Sequence, residues 1–346
     1  MDVREILLKQ YARHKKAGIV DDLFHRNFWA SLPKTATTKK KVDTQWIEPP
    51  CVFVGRDPNH PLRGTCKIGV CACDVVVNTA IWSPARQEGG RFARIEYHPD
   101  KTWKFAWYDP LFREKRYLYS RDPNQTDRPK FDLARQLWKK HRAVRKEFPD
   151  PLLWYFMDTL CIRVGNDKDT RTEADTVGCC TLRAHDHVRF LSTKNKQVHI
   201  RFPGKDSVVF DRVVRLPQDA HQTIVARLRR TPKGQPLFPD ITPAIVNRSL
   251  QRVLPGCTAK QFRTMRASLL FEKTLRETHD PVLANKKVAE LLNHRRNDRT
   301  LLLETSRNNY IDPRVYFAYM NRHKPQKSPS WFKDAEWAKN TIDFKF

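Results

Sequence analysis

Residues 122–129 read Asp-Pro-Asn-Gln-Thr-Asp-Arg-Pro, and the hydrophobic pattern changes across them. Upstream, residues 66–77, 91–98 and 102–108 mix alternating and β-branched character, with Pro and Gly breaks between them. Downstream, Phe131, Ala134, Leu137, Trp138, Val144 and Phe148 recur at helical spacing, with Arg135, Lys139, Lys140 and Arg142 largely on the other faces. A run of turn formers at such a change of period predicts a linker. The expected fold is α+β, with a β-rich region over 1–121, a linker or hinge over 122–130, and mostly helix from 131 on.

The downstream half can be read further. Pro149-Asp150-Pro151 stops one helix and starts the next, where Leu153, Phe156, Met157, Leu160 and Val164 form a stripe. Two strands, 198–202 and 207–214, are joined through Pro203-Gly204-Lys205-Asp206. Helices resume at Thr242-Pro243, an N-cap followed by a first-turn proline, then over 258–277 and 282–293. A further helical patch is expected at 21–29, ahead of a basic stretch that ends in Lys39-Lys40-Lys41.

Charge decides the class of partner. The 346 residues carry 65 Lys and Arg against 38 Asp and Glu, a net charge of +27. Such an imbalance strains the folded state by self-repulsion unless a polyanion offsets it. The charges are spread along the chain, which fits a long enveloping surface better than a tethering arm. No apolar run approaches 18 residues, so a membrane partner is not indicated. Nine Trp and 11% aromatic residues imply a packed core. The eight cysteines show no C-x-x-C pair repeated at a zinc-like spacing, so buried reduced thiols are expected.

Five residues stand out for their chemistry. Arg163 is expected near the end of an apolar helix, where a buried fork needs an anion; an ion pair with Asp158 or Asp167 would also explain it. Lys205 is expected at a hairpin tip, where most lysines are simply solvated. Arg263 shares a helix face with Lys260 and Ala267, and charged helix faces are usually solvated too. His294 is expected to end a helix, where the dipole stabilises a protonated ring. Tyr310 lies in the polar run Asn308-Asn309-Tyr310-Ile311-Asp312-Pro313-Arg314 and is expected in a turn, ordinarily as a packing anchor. Together they supply two guanidiniums, an ammonium, an imidazole and a phenol. Those are the parts needed to break and remake a phosphodiester without a metal.

Their order resembles a known family. Arg163-Val164-Gly165-Asn166 followed by Thr172-Glu173-Ala174-Asp175-Thr176-Val177-Gly178-Cys179-Cys180 is similar to the core signature of eukaryotic-type type IB DNA topoisomerases. Gly204-Lys205-Asp206-Ser207, Phe262-Arg263-Thr264, Asn293-His294 and Thr305-Ser306-Arg307-Asn308-Asn309-Tyr310-Ile311-Asp312-Pro313-Arg314 follow in the family's order. Upstream, Phe24-His25-Arg26-Asn27-Phe28, Ile47-Glu48-Pro49-Pro50, Gly55-Arg56 and Asn59-His60-Pro61 resemble its cap region.

The resemblance implies a β-rich N-terminal cap over 1–121 and a mostly helical, tyrosine-recombinase-like catalytic core over 131–294. A connector and nucleophile segment would fill 295–346, and the whole would clamp duplex DNA. Tyr310 would be the nucleophile; Arg163, Arg263 and His294 would stabilise the transition state; Lys205 would be the general acid. Arg56, Asp206, Lys260 and Asn309 match DNA-binding positions. No cofactor is implied: one phosphodiester is exchanged for another, so neither ATP nor metal is called for. The partner would be double-stranded DNA with little sequence preference, met by a monomer in the nucleus or at a viral replication site.

One departure is large. Cellular members place a long coiled coil between the His and Tyr segments, whereas Tyr310 here follows His294 by only sixteen positions. The basic N-terminal tail is also expected to be missing, as in a minimal, possibly viral, form. Two alternatives stay open. A tyrosine recombinase uses a similar residue set, although it usually carries His-x-x-Arg where this chain has Lys260-x-x-Arg263. A non-catalytic basic DNA-binding protein would rely on charge alone.

Overall fold

The computed structural model describes residues 46–48, 51–53, 55, 57–67, 70–71, 74–78, 94–101, 103–109, 111–119, 123–171, 173–192, 194–296, 298–323, 331–332 and 335–346. The helical patch expected at 21–29 lies outside them. The chain divides into two compact units, one of residues 1–121 with 169–174, the other of 122–168 with 175–346.

The first unit is built from short strands: β1 (Trp46–Glu48), β2 (Cys51–Val52), β3 (Cys66–Lys67), β4 (Val70–Cys71), β5 (Val76–Asn78), β6 (Arg94–Glu96), β7 (Trp103–Asp109) and β8 (Glu114–Tyr119). β1 pairs with β4 and β2 with β3, both antiparallel. The remaining four form a sheet in the order β6-β5-β7-β8, antiparallel except for β5 beside β6. Val70 of β4, Val75 and Trp107 of β7 make a small core in this unit. Buried Asn78 ties the sheet to its loops, donating from Nδ2 to Trp103 O at 2.9 Å while its Oδ1 accepts from His98 N at 2.8 Å. The sequence pattern joins β3 to β5 into one strand and omits β8. Among the described residues Glu114–Tyr119 pairs only with β7, and it is exposed at almost every position, so burial imprints no alternation on it.

The second unit carries nine α-helices among the described residues. α1 (Pro123–Lys139), α2 (His141–Glu147) and α3 (Pro151–Asp158) precede a sheet of β9 (Val188–Ser192), β10 (Gln197–Pro203) and β11 (Val209–Arg215). α4 (Gln218–Arg230), α5 (Pro243–Val253), α6 (Lys260–Thr278), α7 (Pro281–Leu291), α8 (Leu303–Tyr310) and α9 (Pro313–His323) follow. The sheet is antiparallel in the order β11-β10-β9. Thr242 caps α5 as expected, accepting from Ile245 N.

Three expectations are corrected here. The run read as a turn-rich linker is helical from Pro123 onward: one proline sits at the helix start, where its missing N–H costs nothing, and Pro129 is tolerated inside. The single apolar stripe 131–148 is two helices, broken at Lys140, and Trp138 is 40% exposed. The helix expected to run through Val164 stops at Asp158, and Cys161 turns into the left-handed region at φ 54°.

α6 organises this unit. It packs against α1, α3, α7, α8 and α9. Phe262, Met265, Ala267, Phe271 and Leu275 are buried, and so are its polar Gln261, Arg263, Thr264, Ser268 and Thr274. Polar groups buried on a helix call for partners inside the protein. Its arginine and serine find theirs within one cluster, while Arg263 Nε and Thr264 Oγ1 have no hydrogen-bond partner among the described residues.

Candidate active site

After α3 the backbone runs extended; Arg163 O accepts from the amide of Cys179 and Val164 O from that of Cys180, both at 2.7 Å. The pairing depends on two glycines. A Cβ on Gly178 would stand 2.4 Å from Gly165 N, and Gly165 itself adopts φ 78°. Arg163 is thus held on a loop rather than on the expected helix. Its NH1 donates to Tyr310 Oη at 3.3 Å. The alternative of an ion pair with Asp158 is excluded, because that buried carboxylate accepts from Arg266 and meets His141.

Arg263 is only 5% exposed. Its NH1 donates to Cys161 O and its NH2 to Leu292 O at 3.0 Å, with His294 Nε2 at 2.9 Å from NH2. Burial pulls the guanidinium down to about 10, aided by neighbouring Arg163, and it stays protonated at neutral pH.

His294 follows α7 beyond Asn293, which takes φ 52°, and its own amide donates to Ala289 O at 2.9 Å. Its Nδ1 lies 2.8 Å from Ser306 Oγ. Burial pushes the imidazole down to about 2, with Arg263 and Arg163 acting in the same direction. A ring in this position is neutral, because desolvation and two guanidiniums disfavour its charged form.

Tyr310 ends α8 and is 5% exposed, a helical and not a turn position. Its ring lies on that of His294 with centroids 4.9 Å apart, and the Arg263 guanidinium stands 5.1 Å from its centroid. Burial alone would raise the phenol; the charges of Arg263 and Arg163, with the Arg163 hydrogen bond, reverse that and bring it down to about 8. Ser268 fixes the chain here, donating to Tyr310 O at 3.2 Å and accepting from Asp312 N at 3.0 Å. Asp312 then meets Arg314, which also reaches Asp132 of α1 at 2.7 Å.

The structure therefore brings Arg163, Arg263, His294 and Tyr310 together. Lys205 stands apart, at the tip between β10 and β11, with its side chain 57% exposed and Asp206 Oδ1 at 3.3 Å. Asp206 takes φ 59° at that tip. Lys260 and Asn309 are exposed, the latter donating to Thr305 O at 3.1 Å. Arg56 lies outside the described residues. Ser268 carries no sequence signal, and Ser306 and Asp312 stand in the run around Tyr310 with no role marked for them. The signal for Ser306 is its place four residues before Tyr310, on the same face of one helix turn.

A phenol of lowered pKa under two guanidiniums, beside a neutral imidazole, is an anion cradle around a nucleophile. Residues 120–319 match the family described as eukaryotic DNA topoisomerase I, catalytic core. The chain belongs to that family. Residues 31–120 match its DNA binding fragment. DNA topoisomerase 1 of Drosophila melanogaster is 30% identical over 290 residues, which is 75% of this chain and 30% of the relative. The Homo sapiens protein of the same name is 29% identical over 290 residues, 75% of this chain and 38% of that protein. The chain thus spans about a third of the length of these relatives. All four clustered residues fall inside the part that matches the topoisomerase I core. Its connector from His294 to α8 is a tight antiparallel turn, in which Arg295 bridges Leu301, Arg296 N donates to Thr300 O and Leu302 N donates to His294 O at 2.8 Å.

Proposed function

We propose that this chain is a type IB DNA topoisomerase, relaxing supercoiled duplex DNA by transient cleavage of one strand. One observation carries the reading: the Tyr310 hydroxyl, with its pKa lowered to about 8, lies under Arg163, with Arg263 over the ring and His294 tilted against it. The deprotonated phenol oxygen attacks a backbone phosphorus, and the bond to the 5′-oxygen breaks. The product is a 3′-phosphotyrosine and a 5′-hydroxyl. Arg163 and Arg263 stabilise the charge that grows on the phosphoryl oxygens, and His294 assists as a hydrogen-bond donor. Lys205 supplies the proton to the departing 5′-oxygen, moving in from its exposed hairpin tip once DNA is bound. Torsional strain then rotates the free strand, and the 5′-hydroxyl attacks the phosphotyrosine to restore the phosphodiester. The chain acts as a monomer in the nucleus and clamps duplex DNA, with the N-terminal unit as a cap. Asp206, Lys260, Asn309 and Arg56 add contacts near the cleaved step.

The test is incubation with supercoiled plasmid in EDTA without ATP. Stepwise relaxation is expected. Tyr310→Phe should bind DNA but neither relax it nor become covalently attached. Relaxation by that variant sinks the proposal, and a mobility shift without relaxation by the unaltered protein points to a mere binder.

A further inference from the structure

His294 Nε2 lies 2.9 Å from NH2 of Arg263, and a guanidinium can only donate. Nε2 must therefore accept, with its lone pair unprotonated. The ring is buried among Arg263 of α6, Arg163 of the preceding loop, and Ser306 and Tyr310 of α8, and its neutral form carries one proton. That proton sits on Nδ1 and is donated to Ser306 Oγ at 2.8 Å. The serine hydroxyl turns its own proton toward Leu302 O at 3.4 Å. In this arrangement His294 has no N–H to offer a phosphate oxygen, and the NH2 of Arg263 is engaged with the ring and with Leu292 O.

An incoming phosphate changes the balance. It is a stronger acceptor than a neutral ring nitrogen and competes for the Arg263 N–H groups. Nε2 is then released. Protonated on Nε2, the ring presents a donor to the phosphate and an acceptor lone pair at Nδ1. A hydroxyl serves both states by turning its O–H, because it accepts in the first and donates in the second. We infer that Ser306 is a positioning residue that lets His294 exchange its Nδ1–H tautomer for the Nε2–H tautomer when a phosphate enters. One proton leaves Nδ1 for solvent and one arrives at Nε2 from solvent, so the ring stays neutral. Ser306 is fully buried, which keeps water from replacing it. The inference rests on the proposed phosphoryl transfer only for its consequence; the tautomer of the free protein stands independently.

The experiment uses the full chain with 15N-labelled histidine, with His294→Gln identifying the ring signals. The free protein should show the Nδ1–H pattern, and the Tyr310→Phe protein bound to an intact duplex should show Nε2–H. Nε2–H in the free protein, or no change on binding, overturns the inference. In single-turnover cleavage, Ser306→Ala should be roughly tenfold slower, the order of one lost hydrogen bond. Its DNA affinity should be unchanged, and Ser306→Thr should recover the rate. Wild-type cleavage with an equally fast Ser306→Ala refutes the switch alone. No cleavage by the unaltered protein refutes the proposed function instead, and the free-state tautomer remains measurable.

Discussion

At the scale of single residues, the cluster is a contest between desolvation and charge. For Tyr310 the guanidiniums win: a phenol at about 8 is about one-tenth ionised at pH 7, against about one part in a thousand for an ordinary tyrosine. The rate of strand cleavage at saturating DNA should climb with pH and level off as pH passes the phenol's value. Arg163→Ala removes both a charge and a hydrogen bond, so the plateau should move to higher pH and the rate at pH 7 should fall about 10²–10³-fold. A pH–rate profile of both proteins checks this, and an unmoved plateau refutes it. For His294 desolvation wins, and the sign for stability follows. The unfolded ring binds a proton below its ordinary 6.5, while the folded one stays neutral down to about 2. Between those values the unfolded state holds more protons, so stability rises with pH and is lost as pH falls. The contribution approaches about 1.4 kcal/mol per pH unit. Acid unfolding of the DNA-free protein should accordingly be less steep in pH for His294→Gln than for the unaltered chain, whatever their absolute stabilities.

At the scale of elements, two crossing backbones aim Arg163. Gly178→Ala would force a Cβ to within 2.4 Å of Gly165 N, a contact with backbone that no side-chain movement relieves. It should destabilise the protein by about 3 kcal/mol or more and weaken cleavage through displacement of Arg163. Denaturant unfolding checks the first, and an unchanged midpoint refutes it. This pairing also marks how far sequence reading reaches. The Thr242-Pro243 helix start and the Pro203-Gly204 hairpin were legible because their signals are local: a capping side chain and a turn former. The meeting of Gly165 with Gly178 is a tertiary contact, and neither glycine announces its partner. α8 was hidden for a different reason. Its fully buried positions are Ser306 and Tyr310, both polar, so no apolar stripe betrays the helix. The chemically typed residues Arg163, Arg263, His294 and Tyr310 were legible by kind and order. Ser268 and Ser306, which hold them in place, were not, because a buried serine looks like any other until its partners are known.

At the scale of the whole molecule, charge and the short connector set the expectations. A net charge of +27 implies binding dominated by phosphates, so affinity should fall by about 10³ or more between 50 and 200 mM salt, with little dependence on sequence. Filter binding at several salt concentrations measures the slope, and a flat response refutes a phosphate-dominated grip. Rotation is governed by what stands beside the duplex once one strand is free. Cellular members of the family carry a long coiled coil between the histidine and the tyrosine. Here that interval is a turn whose ends are pinned by the hydrogen bond from Leu302 N to His294 O and by the Arg295–Leu301 bridge. A connector folded back on itself over so few residues offers little surface to rub against turning DNA. Fewer contacts mean less friction per turn, and more turns pass before the 5′-hydroxyl is recaptured. Single-molecule relaxation under fixed torque should therefore show larger steps than those of a family member with a long segment between its histidine and its tyrosine. Steps of equal or smaller size would place the friction elsewhere, in the grip of the protein on the duplex itself.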